Sequence, residues 1–190
     1  MSETPEPLEF DVGGLVRRSL ASLYSHLVTR PTGRAVRLAI ESQLAEAGEP
    51  SLSLVDFSQV TILDYSCADE VVARLLRRYG GDDRPRDAFF LFLGVQEWHE
   101  EPIQAVLERQ GLAAVAQVAD GRRRLLGTIS EAEERAWWTV ERKGVLRPSP
   151  DRSEDEGVAA GELEHLAMRR LIFPGPRGGF HALGRLAALP

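Results

Sequence analysis

Six consecutive apolar residues, Ala88-Phe89-Phe90-Leu91-Phe92-Leu93, constrain this chain more than any other stretch. A strand with one wet face alternates apolar and polar residues. An unbroken run predicts a strand covered on both sides, in the centre of a sheet. Leu52, Leu54, Val55 and Phe57 form a second near-continuous run and predict a second buried strand. From Ala68 the apolar residues are Ala68, Val71, Val72, Leu75, Leu76 and Tyr79. Their i, i+3, i+4, i+7 spacing specifies one face of a helix. Arg77 and Arg78 fall in its last turn and Gly80 just beyond, where cations and a left-handed cap belong. A polar loop over 61–67 is left at the strand–helix junction, the place where open α/β sheets put their sites.

Strands and helices alternate through the first two thirds of the chain. Residues 8–16 predict a first strand, with Gly13-Gly14 marking a turn or bulge, and 17–27 a short helix carrying Leu20, Leu23, Tyr24 and Leu27. After Pro31 a helix presents Val36, Ala39, Ile40 and Leu44 on one face and ends near Gly48-Glu49-Pro50. Residues 80–87 form a charged loop. A helix starting near Pro102, a residue suited to the first turn, turns Ile103, Val106 and Leu107 inward and stops at Gly111. Residues 113–118 predict a further strand, and Asp120-Gly121 a hairpin turn into 122–126. This alternation predicts an α/β domain over residues 1–127, a mixed β-sheet with helices packed on it.

The strand–turn–helix segment also carries a resemblance. Asp56-Phe57-Ser58-Gln59-Val60, followed by Ile62-Leu63-Asp64-Tyr65-Ser66-Cys67-Ala68, resembles the signature of STAS domains, a D-L-S-x-V strand leading into a D-S-S-G-L turn and a helix. Ala68-Asp69-Glu70-Val71 is similar to the STAS-like branch in which A-D-E follows the turn, and His26-Leu27-Val28-Thr29-Arg30 to that branch's preceding helix entry. The resemblance covers roughly residues 10–127. It implies an anti-sigma-factor antagonist type of domain, whose second turn serine is phosphorylated by a kinase of the GHKL ATP-binding fold. Carried over, that phosphoacceptor is Ser66. The first serine of the motif is Tyr65 here, and the glycine is Cys67. The resemblance further implies a partner-binding surface from Asp64 to Arg78, using Asp64, Tyr65, Cys67, Asp69, Glu70, Arg74 and Arg77, with Asp56 and Ser58 shaping the loop. Beside it stands a plainer reading, in which Ser66 caps the helix and forms a box with Asp69. A helix N-terminus favours a phosphate, whereas Asp64, Asp69 and Glu70 oppose one.

Beyond residue 127 the composition changes. Ser130-Glu131-Ala132-Glu133 is a capping box opening a helix with Ala136, Trp137 and Val140, and Gly144 closes it. Residues 146–157 are polar and aperiodic and read as a mobile loop. A last helix over 158–170 packs Leu163 and Leu166, and 171–173 with 180–183 form a hairpin around a Gly/Pro tip. Helix, helix and hairpin over 128–190 resemble a reduced winged-helix-like α+β module. Its DNA-contact candidates are Arg169, Arg170 and Arg177. Nine basic residues against ten acids there give a net charge of −1, which is not the footprint of a phosphate-neutralising surface.

Other chemistries are thinly represented. The four histidines have no metal-ligand spacing, and one cysteine makes neither a disulfide nor a thiolate zinc site. Cys67 sits at a helix start but among acids, and reads as a small buried residue. Trp98-His99-Glu100-Glu101 reads as a surface helix entrance, with Trp98 covering its edge. The Gly-Gly pairs lack the lysine of a phosphate loop, and Arg122-Arg123-Arg124 reads as a solvated hairpin arm. A net charge of −6 argues against general nucleic-acid binding. No apolar run approaches a membrane span, and the acidic, proline-rich first residues are unlike a signal peptide, so a cytoplasmic location is expected. The reading is therefore a non-enzymatic regulatory protein without cofactor or metal, acting by partner switching with a GHKL-type ATPase or anti-sigma factor. The alternatives are a DNA-binding transcriptional regulator and a structural subunit of a larger assembly.

Overall fold

The computed structural model describes residues 7–11 (as backbone), 26–148, 158–175 and 177–188. The expected helix over 17–27, all but two residues of it, lies outside these, as does most of the polar loop over 146–157. The two that are described, His26–Leu27, form a short strand (β2) rather than a helix end. β1 (Pro7–Asp11) leads, and α1 (Arg30–Glu46) follows β2, capped at Thr29, whose hydroxyl accepts from the Thr32 N–H. Next come β3 (Ser51–Asp56), β4 (Ile62–Leu63) and one continuous helix in three parts: α2 (Tyr65–Ala68), a π-helical segment (Asp69–Arg74) and α3 (Leu75–Gly80). Gly80 lies inside the last turn, and the cap residue Gly81 is extended rather than left-handed. β5 (Ala88–Val95), α4 (Glu97–Arg109), β6 (Ala113–Val118) and β7 (Arg123–Gly127) complete the first part.

β1, β3, β5 and β6 run parallel and β7 antiparallel, in spatial order β1-β3-β5-β6-β7. The unbroken apolar run thus forms the middle strand. Its side chains alternate between two cores, as a period of two requires. Phe90 and Phe92 join Val55, Ala114 and Ala116 under α1, the α2–π–α3 helix and α4. Phe89 and Leu91 join Leu52, Leu54, Ala113 and Val115 on the opposite face.

That opposite face is covered by the rest of the chain. α5 (Glu131–Lys143), β8 (Val145–Leu146), α6 (Ala160–Met168), β9 (Ile172–Pro174), β10 (Phe180–Ala182) and α7 (Leu183–Ala187) contribute Trp137, Val140, Leu163, Leu166, Phe173 and Leu186 to the second core. β8, β10 and β9 form a three-stranded antiparallel sheet, and α7 touches β3 and β5. The fold is a mixed α/β architecture in which apolar residues of α5, β8, α6, β9, β10 and α7 share one cluster with the main sheet. No helix among the described residues is long and apolar enough to cross a membrane.

Candidate functional site

The parallel strands β3 and β5 end side by side, and the loops leaving them build one surface. After β3 the chain turns through an Asx arrangement: Asp56 accepts from the Ser58 N–H (2.8 Å) and from its hydroxyl (2.9 Å). The end of β5 lies against this turn. Gly94 has φ +62°, and a Cβ there would stand 2.6 Å from the Ser58 nitrogen, so only glycine fits. His99, in the first turn of α4, ties the two loops together. It is fully buried; its Nδ1 accepts from the Gln96 N–H (3.2 Å), which leaves Nε2–H to donate to the Val60 carbonyl at 2.9 Å. Burial lowers its pKa against the pull of that carbonyl. The histidine expected at a surface entrance is therefore an internal pin, and Trp98 beside it points outward.

The long helix starts one turn earlier than its apolar periodicity indicates. Its N-cap is Asp64, whose carboxylate accepts from the Cys67 N–H at 2.8 Å. Ser66 is not the cap. Its hydroxyl, half-buried, donates to the same carboxylate at 2.9 Å. Asp outcompetes Ser here because it sits at the non-helical boundary residue, where its side chain reaches the first free amides. Tyr65 is 46% exposed and donates its phenol to Glu101 at 2.8 Å, which raises its pKa. The Tyr65–Glu101 and His99–Val60 bonds tie together the loops that carry the exposed side chains Ile62, Tyr65 and Trp98 (45%, 46% and 59% exposed) at one end of the sheet, Tyr65 being next to Ser66 in the chain.

Two expected contact residues are internal instead. Cys67 is fully buried, its thiol on the Thr29 carbonyl and its backbone against Gly33; burial first, then Asp64, pushes the thiol up to about 12. Glu70, 1% exposed, lies in the π-helical segment and is held by Arg30 (3.0 Å), Arg37 (3.1 Å) and Arg74 (3.3 Å). Packing against α1 turns this side of the helix inward, which spacing alone cannot reveal. Asp69 is half-buried between Arg30 (2.6 Å), Arg74 (3.1 Å) and Gln110 (2.8 Å). Burial raises its carboxyl, but the guanidiniums prevail and hold it below the usual carboxylate range. Arg30, Arg34, Arg37 and Arg74 line a cleft of about 470 Å³ over Glu70. Arg77, in the last turn, is exposed.

The DNA-contact candidates are largely spoken for. Arg169 binds Glu133 and the Thr128 carbonyl (2.8 Å), and Arg170 pairs with Asp87 at 2.5 Å while lying 4.6 Å over the Phe89 ring. Arg177 is exposed near the β9–β10 turn. Among the described residues no group of histidine, cysteine and carboxylates is arranged to hold a metal. Comparison with protein families, with characterised proteins and with solved structures finds no match. The functional argument rests on the geometry itself.

Proposed function

We propose that this chain is a STAS-like regulatory protein that docks a protein partner at the Ser66 end of its sheet, with phosphorylation of Ser66 as the switch. The observation that carries this reading is the exposure of Ile62, Tyr65 and Trp98 on the loops at the end of the sheet that also carries the half-buried Ser66. Large exposed aromatics at one edge are the usual anchors of a protein interface. The partner class is the one that the motif from Asp56 to Val71 implies, a GHKL-type ATPase or the anti-sigma factor it belongs with.

The switch follows from the local bonds. Unmodified Ser66 donates to Asp64. A phosphate removes that donor and adds about two negative charges beside the carboxylate. Asp64 then either leaves the Cys67 N–H or stays at an electrostatic cost, and Tyr65, held between them in sequence, shifts with it. Partner binding to the neighbouring patch is weakened. Arg169 and Arg170 are neutralised within the protein, so the reading with a DNA-contacting C-terminal module draws no support from them. The test is incubation with ATP and lysate from the source cell, followed by phosphosite mapping, with Ser66→Ala in parallel. Phosphate on Ser66 that vanishes in the variant is the expected result. An unmodified Ser66 under conditions where other proteins are phosphorylated overturns the switch.

A further inference from the structure

A second cavity lies at the opposite end of the sheet, where β5 and β6 begin. It is a half-open cleft of about 340 Å³, with Leu76 and Leu112 among its walls, the buried Tyr79 and Phe90 at its floor, and Arg77 and Met168 also lining it. Taking an atom's share of condensed volume as near that of a water molecule, about 30 Å³, the space holds roughly ten heavy atoms. Volumes of this order with apolar walls and a few polar groups are the usual form of a small-molecule site.

Two features at the rim, Met168 and Arg77, are unexplained by folding. Met168 is 67% exposed, the most exposed large apolar side chain among the described residues. Arg77 is exposed and makes no ion pair or hydrogen bond with a described residue, although its neighbours Arg74 and Arg78 each lie against carboxylates. Arg170, which also lines the cavity, occupies the left-handed position (φ +62°) that ends α6, where its N–H bonds the Ala167 carbonyl and that of Leu171 the Leu166 carbonyl. Glycine is the unstrained residue for such a cap, and the larger residue is retained here by its ion pair with Asp87 and its place over the Phe89 ring. Together these give a half-open, largely apolar cleft lined in part by Arg77, whose side chain has no partner among the described residues.

We propose that this cavity binds a small amphipathic carboxylate, its apolar tail against Leu76, Tyr79, Phe90 and Leu112 and its acid group on Arg77. A tail leaving the cleft covers Met168. The fork of Arg77, unpaired among the described residues, matches a carboxylate in a bidentate geometry. Decanoate, with a chain of the right size, is the probe, and decanol is its uncharged control.

The chain has two methionines, Met1 and Met168, so methyl-labelled methionine reports the site directly by NMR. Decanoate shifts the Met168 methyl saturably and leaves Met1 in place. In Arg77→Ala, a change at an exposed side chain that leaves the fold intact, decanoate binds about tenfold more weakly while decanol is unaffected. The proposal is overturned by an absent or unsaturable Met168 shift, by equal shifts at both methionines, or by decanoate affinity that survives Arg77→Ala unchanged.

Discussion

At the scale of single residues, the helix entrance is controlled by one carboxylate. Asp64 takes both the cap amide and the Ser66 hydroxyl, so the residue most like a phosphoacceptor in the motif reaches solvent only in part. That Ser66 lies at the junction was legible from the apolar runs on either side. That Asp64 caps the helix was not, because Asp and Ser two positions apart satisfy the same preference and only the backbone conformation separates them. Cys67 fills the slot between α2 and α1, and its thiol, pushed up to about 12 from 9.0, is essentially all protonated at neutral pH. We expect Ellman's reagent at pH 8 to modify the native protein at least about a hundredfold more slowly than the urea-unfolded chain. Equal rates in the two states contradict the burial described here.

At the scale of elements, the strands were legible and the helix ends were not. Two apolar runs sufficed for β3 and β5, since a strand buried on both faces is apolar along most of its length; only the small Ser51 and Ser53 interrupt the buried part of β3. α4 begins five residues before Pro102, because Gln96 and the buried His99 supply its first-turn bonds, and the proline sits inside the helix. Nothing in the local spacing reveals the His99 pin, which depends on the Val60 carbonyl 39 residues away. The π-helical segment is equally invisible to periodicity, and such segments gather at functional sites. Close approach of α1 to α2 depends on Gly33, where a Cβ would lie 2.9 Å from the Cys67 Cα. In an open helix Gly→Ala stabilises by about 0.5–1 kcal/mol. Here the sign reverses: we expect Gly33→Ala to destabilise by about 1–2 kcal/mol in urea unfolding, since backbone atoms must move apart. A gain in stability contradicts the packing.

At the scale of the whole molecule, the two cores lie on either face of one sheet, and the C-terminal third supplies much of the second. The composition break near residue 128 was legible, and so was the capping box at Ser130; the burial of that segment's apolar faces against the sheet was not, because a helix stripe does not name its partner. Glu133 fastens this layer, bonding the Ser130 N–H (2.8 Å), Arg169 and His165 (3.1 Å). Burial raises its carboxyl, but the Ser130 amide and Arg169 prevail and hold it at about 2, against an ordinary 4.5. A depressed folded-state value contributes stability that is fully present above pH 4.5 and is lost as the pH falls through 2. The loss is about 3 kcal/mol across that window. Glu133→Gln, less stable at neutral pH, lacks that part of the acid dependence, and a slope equal to the wild type contradicts the assignment. The central claim, a partner-docking surface gated at Ser66, is tested most directly by a photo-crosslinking residue at Trp98 in the native cell. We expect an adduct with one protein partner that disappears on Ser66→Glu. An adduct that persists in Ser66→Glu, or none at all in an expressing cell, contradicts it.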